Sequence, residues 1–226
     1  MIPSEQQRRA YLDALGIDVW LPRDSADAPV EDAEGAPTAP AGEVDWETLA
    51  AQVAGCQKCA LSGSRTQTVF GVGHHDADWM VVGEAPGAEE DRRGEPFVGR
   101  AGQLLDEMLR AVGLDRDRVF IANILKCRPP DNRDPKQEEA DACRSHLDRQ
   151  IALVQPKLIL AVGRIAAQQL LGRNDPVGKL RGSAHRVSDI PVVVTYHPAY
   201  LLRRPSEKSR SWADLCLAQR TFKDAA

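Results

Sequence analysis

The chain has 226 residues, 42% of them hydrophobic and 27% charged, with a formal net charge of −4. That content suffices for one core plus a tail, and no apolar run is long enough to cross a bilayer, which argues against a membrane-spanning protein. The charge is uneven: residues 21–44 hold six acids against Arg23 alone and residues 1–20 three acids against two bases, so the remainder carries +2 and a nucleic-acid partner is compatible with the acidic total.

Residues 4–15 show helical spacing, with Tyr11, Leu12 and Leu15 on one face and Gly16 as a stop. Residues 1–20 read as a short amphipathic peptide that docks either on its own domain or on another protein. Residues 21–44, rich in Ala, Pro and acids, read as a disordered linker. The N-terminus lacks the apolar core of a secretory signal, so a cytoplasmic location is expected, where clustered cysteines serve metals more often than disulfides.

From residue 45 to residue 226 helices and strands alternate. Asp45 is placed to cap a helix running through Ala54, with Cys56 and Cys59 at its exit. The strand Trp79–Val82 leads into a long Glu84–Gly99 loop, then a helix through Leu104, Leu105, Met108 and Val112. Val119–Ala122 forms a second strand ending at Asn123, a helix covers about Lys136–Val154, and Leu158–Val162 is the third strand. Gly163 opens a short helix, Val192–Thr195 is the fourth strand, and a last helix carries Trp212, Leu215 and Leu217. Short apolar strands separated by helices predict a three-layer α/β/α domain with a central four-stranded parallel sheet. Ligands bind such sheets beyond the strand carboxyl ends, so Glu84, Asn123 and His197, each just past a strand, should share one crevice.

Three motifs stand out. His197-Pro198-Ala199-Tyr200-Leu201-Leu202-Arg203 ends the Val192–Thr195 run and presents, on a loop, apolar tips ahead of cations, as a wedge that parts stacked bases does. Gly83-Glu84-Ala85-Pro86-Gly87 follows the first strand, with glycines that permit a tight turn and close approach to a ligand. Cys56 and Cys59 form C-x-x-C, with Cys127 and Cys143 far downstream. Zinc sites usually pair C-x-x-C with a second such pair or with histidines, and the separation of Cys127 from Cys143 fits that pattern poorly. Cys216, beside Leu215 and Leu217, reads as a core cysteine. His74, His75, His146 and His185 lack motif context and read as surface or loop residues.

Together these motifs resemble family-four uracil-DNA glycosylases, the iron–sulfur class of the uracil-DNA glycosylase superfamily. The resemblance runs from about Asp45 to the last helix and includes both active-site motifs and all four cysteines. It implies an uracil-DNA glycosylase-like fold, a [4Fe–4S] cluster on Cys56, Cys59, Cys127 and Cys143, and hydrolytic release of uracil from single- or double-stranded DNA by a monomer. His197 would donate to uracil O2, Asn123 would pair with N3–H and O4, and Phe97, in Glu95-Pro96-Phe97-Val98-Gly99, would stack on the base. Glu84 and Ala85 would line the uracil pocket, and Glu90 would flank the base near C5 to exclude the thymine methyl. Family one carries an aspartate where this chain has Ala85, so Glu84 or Asn132 is expected to orient the water. Leu201, Leu202, Arg203 and Arg204 would contact DNA. Two other functions use similar motifs. A covalent uracil trap would carry a histidine in the segment 128–135 and a glutamine in place of Ala85, and this chain has neither. A non-catalytic iron–sulfur nucleic-acid module would have no need of Glu84, Asn123 and His197 together.

Overall fold

The computed structural model describes residues 45–225, so the readings for residues 1–44 fall outside the described residues. Asp45 caps the first helix, α1 (Trp46–Ala54), accepting from the Thr48 amide at 2.7 Å. Four apolar segments, β2 (Trp79–Gly83), β3 (Val119–Asn123), β4 (Leu158–Val162) and β6 (Ile190–Thr195), lie parallel in the spatial order β3-β2-β4-β6. Every residue of β2, β3 and β4 is buried, as expected of strands covered on both faces.

Side-chain alternation divides these strands between two cores. Met80, Val82, Phe120, Ala122, Ile159, Ala161, Val192 and Val194 point to one face, with Leu147, Ala166 and Leu170 above them. Trp79, Val81, Val119, Ile121, Leu158, Leu160, Val162 and Val193 point to the other, under Leu105, Leu109, Leu201 and Leu215. The helices on the first face include α4 (Gln137–Val154) and α5 (Arg164–Leu171); those on the second include α3 (Arg100–Arg110), α7 (Pro198–Arg203) and α8 (Lys208–Ala225). Among the described residues no helix is long and apolar enough to cross a membrane.

Among the described residues the sheet has six strands rather than four. Antiparallel edge strands flank the parallel core: β1 (Val72–Gly73) pairs with β3, and β5 (Ala184–Val187) pairs with β6. Two residues are too few for a periodic signal, and β5 is half exposed and polar, so neither resembles a buried strand. Two loops are also partly helical. Residues 84–99 contain α2 (Ala88–Arg93), and the segment after His197 is α7, with His197 at its N-cap and Pro198 in the first turn. A four-residue helix, α6 (Val177–Leu180), precedes β5.

Candidate functional site

The parallel register aligns Gly83 with Asn123, and the two chains stay paired past the sheet: Ile124 N–H donates to the Gly83 carbonyl at 2.9 Å and Leu125 N–H to the Glu84 carbonyl at 3.0 Å. Gly163 N–H likewise donates to Thr195 O at 2.9 Å, which brings the β4 and β6 ends together. The strand ends therefore open into one cavity of about 820 Å³, lined by Glu84, Ala85, Glu90, Phe97, Asn123, Asn132 and His197 among others. All seven pocket residues expected from the sequence meet there.

Asn123 is 2% exposed, and its Oδ1 is a buried acceptor without a partner. Buried acceptors are rarely left unmatched, because the desolvation is uncompensated, and this one belongs to a residue that lines the cavity. The Phe97 ring is its neighbour: a Cβ on Gly83 would stand 2.4 Å from Asn123 Oδ1 and 2.5 Å from Phe97 Cζ, so only glycine leaves room for both. Phe97 is buried with φ at +55°, a conformation uncommon for a bulky side chain. It is held by Arg116, whose guanidinium donates to the Pro96 and Phe97 carbonyls and pairs with Asp106. A Cβ on Gly102 would stand 1.7 Å from the Phe97 carbonyl oxygen, so that contact too demands glycine.

His197 faces Phe97 with ring centroids 5.7 Å apart. The Ala199 amide donates to His197 Nδ1 at 3.1 Å, which requires a lone pair on Nδ1 and leaves the ring proton on Nε2. Burial, helped by the Arg203 charge, lowers the imidazole pKa to about 4, so it is neutral at physiological pH. This histidine is a fixed neutral donor. Burial also raises the Glu84 carboxyl to about 7, with Asp134 reinforcing the rise and Arg164 opposing it. Asp134 and Arg164 form an ion pair on the cavity wall. Asn132 lines the cavity while its Oδ1 accepts from Arg128 Nε at 2.7 Å.

Glu90 stands on the cavity, yet its carboxylate is committed to the backbone: Oε2 accepts from Gly87 N–H, and Oε1 from Val98 and Gly99 N–H at 3.0 and 3.3 Å. It clips the Phe97 loop to the start of α2. Leu201 is 1% exposed and packs in the second core, so it cannot be an inserted wedge; helical spacing turns it inward and leaves Leu202, 36% exposed, as the apolar tip. Arg203 lines the cavity and Arg204 is exposed beside it.

Cys56, Cys59, Cys127 and Cys143 line a second, small pocket, although among the described residues no three His, Cys, Asp or Glu side chains converge as they would on a single ion. The four cysteines could hold a cluster rather than a single ion. The surroundings fit thiolate ligands: Arg65 donates to Cys127 Sγ at 3.0 Å, Lys126 N–H to Cys143 Sγ at 3.3 Å, and His146 Nε2 lies 3.4 Å from Cys56 Sγ. Without a metal, burial pushes the Cys127 and Cys143 thiols up and disfavours the charged form. His146 is thus buried at the cysteine pocket, not a surface residue, and Cys216 is half-buried rather than a full core residue. Sequence reasoning also missed Tyr196, Tyr200, Arg164 and Asp134 on the cavity wall. Tyr196 directly precedes His197, which was a usable signal; Asp134 and Arg164 had none.

Residues 70–218 match the family described as the uracil DNA glycosylase superfamily. Curated relatives similar to this chain include the type-4 uracil-DNA glycosylase of Archaeoglobus fulgidus, 41% identical over 74% of this chain and 88% of its own length. Those of Sulfurisphaera tokodaii (44%, covering 71% and 77%) and Thermotoga maritima (43%, covering 73% and 86%) carry the same name.

Proposed function

The chain belongs to the uracil-DNA glycosylase superfamily, and from that premise we propose that it hydrolyses the N-glycosidic bond of uracil in DNA, releasing the free base and leaving an abasic site. The observation that carries this reading is the unpartnered Asn123 Oδ1 beside the Phe97 ring. Uracil supplies the missing donor with N3–H, takes a bond from the Asn123 amide nitrogen at O4, and stacks on Phe97. The base reaches the cavity only when flipped from the duplex.

Bond cleavage puts negative charge on the departing uracil and positive charge on the sugar. His197, neutral and with its ring proton on Nε2, stabilises the first of these charges by donating to uracil O2 without giving up its proton. Glu84, poised near neutrality, accepts a proton from the water that attacks C1′, and Asn132 helps hold that water. Uracil leaves as the anion and is protonated by solvent. Leu202 fills the vacated position in the stack, while Arg203 and Arg204 hold phosphates.

Cys56, Cys59, Cys127 and Cys143 would hold a [4Fe–4S] cluster. Bound there, it supplies a covalent tie between the exit of α1, the segment after Asn123, and α4; hydrolysis needs no electrons. The test is single-turnover incubation with an oligonucleotide containing one deoxyuridine. The wild-type protein should convert it to an abasic site, and His197→Ala should be slower by about 10²–10³, the usual scale for one oxyanion donor. Iron-loaded wild-type protein that releases no uracil would overturn the reading.

A further inference from the structure

Lys126 is 1% exposed, among the most deeply buried side chains in the protein, and nothing in the proposed chemistry uses it. A lysine sealed from water needs both acceptors and a counter-charge. Its acceptors are the Asn123 main-chain carbonyl, 2.9 Å from Nζ, and Gln150 Oε1 at 2.5 Å. Gln150 is itself fixed, donating through Nε2 to the Phe70 carbonyl at 2.8 Å. The cysteines, once acting as thiolate ligands, would supply the counter-charge: Lys126 lines their pocket, precedes Cys127, and donates its own amide to Cys143 Sγ.

We propose that Lys126 is a positioning residue for base recognition: its side chain, anchored by the negative charge of the cysteine centre, holds the Asn123 main chain and so aims the Asn123 amide into the cavity. This rests on the proposed uracil-releasing function and on the cysteines acting as thiolate ligands. It assigns the cysteine centre a second consequence besides stability. One buried side chain thus links the cysteine pocket, which it lines, to the last residue of β3, which lines the cavity. Holding the Asn123 carbonyl fixes the backbone from which its amide side chain departs, beside the Phe97 ring that packs against it.

A double-mutant cycle tests this. Lys126→Met keeps the length and apolar stem of the side chain and removes the donor and the charge. Single-turnover uracil release is measured for wild-type, Lys126→Met, Asn123→Ala and the double variant, with visible absorption and iron content recorded for each. If Lys126 acts through Asn123, Lys126→Met should slow release about tenfold in the wild-type background and less than about twofold once Asn123 is alanine, a coupling typical of contacting residues. Free-uracil affinity by calorimetry, independent of turnover, should weaken in parallel. Gln150→Ala, one side chain further from the cysteines, should show the same coupling at smaller size. Equal losses with and without Asn123 would mean Lys126 only supports the fold, and the proposal fails. It fails also if neither variant retains wild-type absorption, since the lysine would then serve the cysteine centre alone. A wild-type protein that releases no uracil would instead sink the functional reading.

Discussion

Glu84 and His197 stand on the same cavity with their pKa values displaced in opposite directions, and the pair fixes how the rate should depend on pH. Glu84, raised to about 7 by burial, would have to be a carboxylate to take the proton of the attacking water as proposed, so the rate should rise with pH through that value and level off above it. His197, lowered to about 4, is neutral throughout this window and should contribute no falling limb between pH 5 and 8. The chemical step followed from pH 5 to 8 should therefore show one ascending limb, and Glu84→Gln should abolish it. A rate that declines with pH through the ordinary histidine range would require a charged imidazole and contradict the assignment. Gly83 gives a second residue-scale expectation. Gly83→Ala drives a methyl group into Asn123 Oδ1 and the Phe97 ring, so uracil release should fall by at least about 10², while far-ultraviolet circular dichroism, which reports the helices and sheet, changes little. These positions were largely readable from the sequence, because a polar residue directly after a β-branched run has few reasons to be there. Glu90 was readable only as a presence; its bonds to Gly87, Val98 and Gly99 depend on how the loop folds back, which no spacing rule encodes.

Among the elements, α7 shows where sequence reasoning stopped short. The residues after His197 read as a loop because Pro198 follows a strand, yet proline is well tolerated at the first position of a helix. Helical spacing then separates two adjacent leucines. Leu201→Ala removes a buried side chain and should destabilise the fold by about 2–5 kcal/mol, measured by chemical denaturation. Leu202→Ala should leave stability within about 0.5 kcal/mol but slow release from paired DNA more than from single strands, where there is no stack to fill. Equal losses on both substrates would remove Leu202 from that role. The parallel core β3-β2-β4-β6 was legible because strands buried on both faces read as continuous apolar runs. The edges β1 and β5 were not, being short or half solvated.

Across the described residues, two centres are served by the chain that leaves one strand end. β3 delivers Asn123 to the cavity, and a few residues further on the chain delivers Cys127 to the cysteine pocket, with Lys126 between them. That economy explains why the motifs fall so close in sequence, and why His146, on the same face of α4 as Cys143, was invisible until the helix was in place. If the four cysteines hold a cluster, protein purified without oxidants should be brown with about four irons per chain. Cys127→Ser or Cys143→Ser should lose colour and thermal stability together, because bound metal is part of the folding free energy. Colourless, fully active protein carrying stoichiometric zinc would refute the cluster.

The central claim is that the Asn123 amide reads the base, and exchanging one atom of it provides the most direct test. Asn123→Asp replaces the amide donor with a carboxylate oxygen; protonated, it offers a donor to cytosine N3 and an acceptor to the cytosine amino group. Single-turnover release of uracil and of cytosine is measured from otherwise identical oligonucleotides. Wild-type protein should reject cytosine by about 10⁴–10⁵, the scale set by leaving buried polar groups unmatched. Asn123→Asp should lose most uracil release and gain a slow, measurable release of cytosine. An Asn123→Asp variant that keeps wild-type uracil activity and still rejects cytosine would show that specificity lies elsewhere in the cavity.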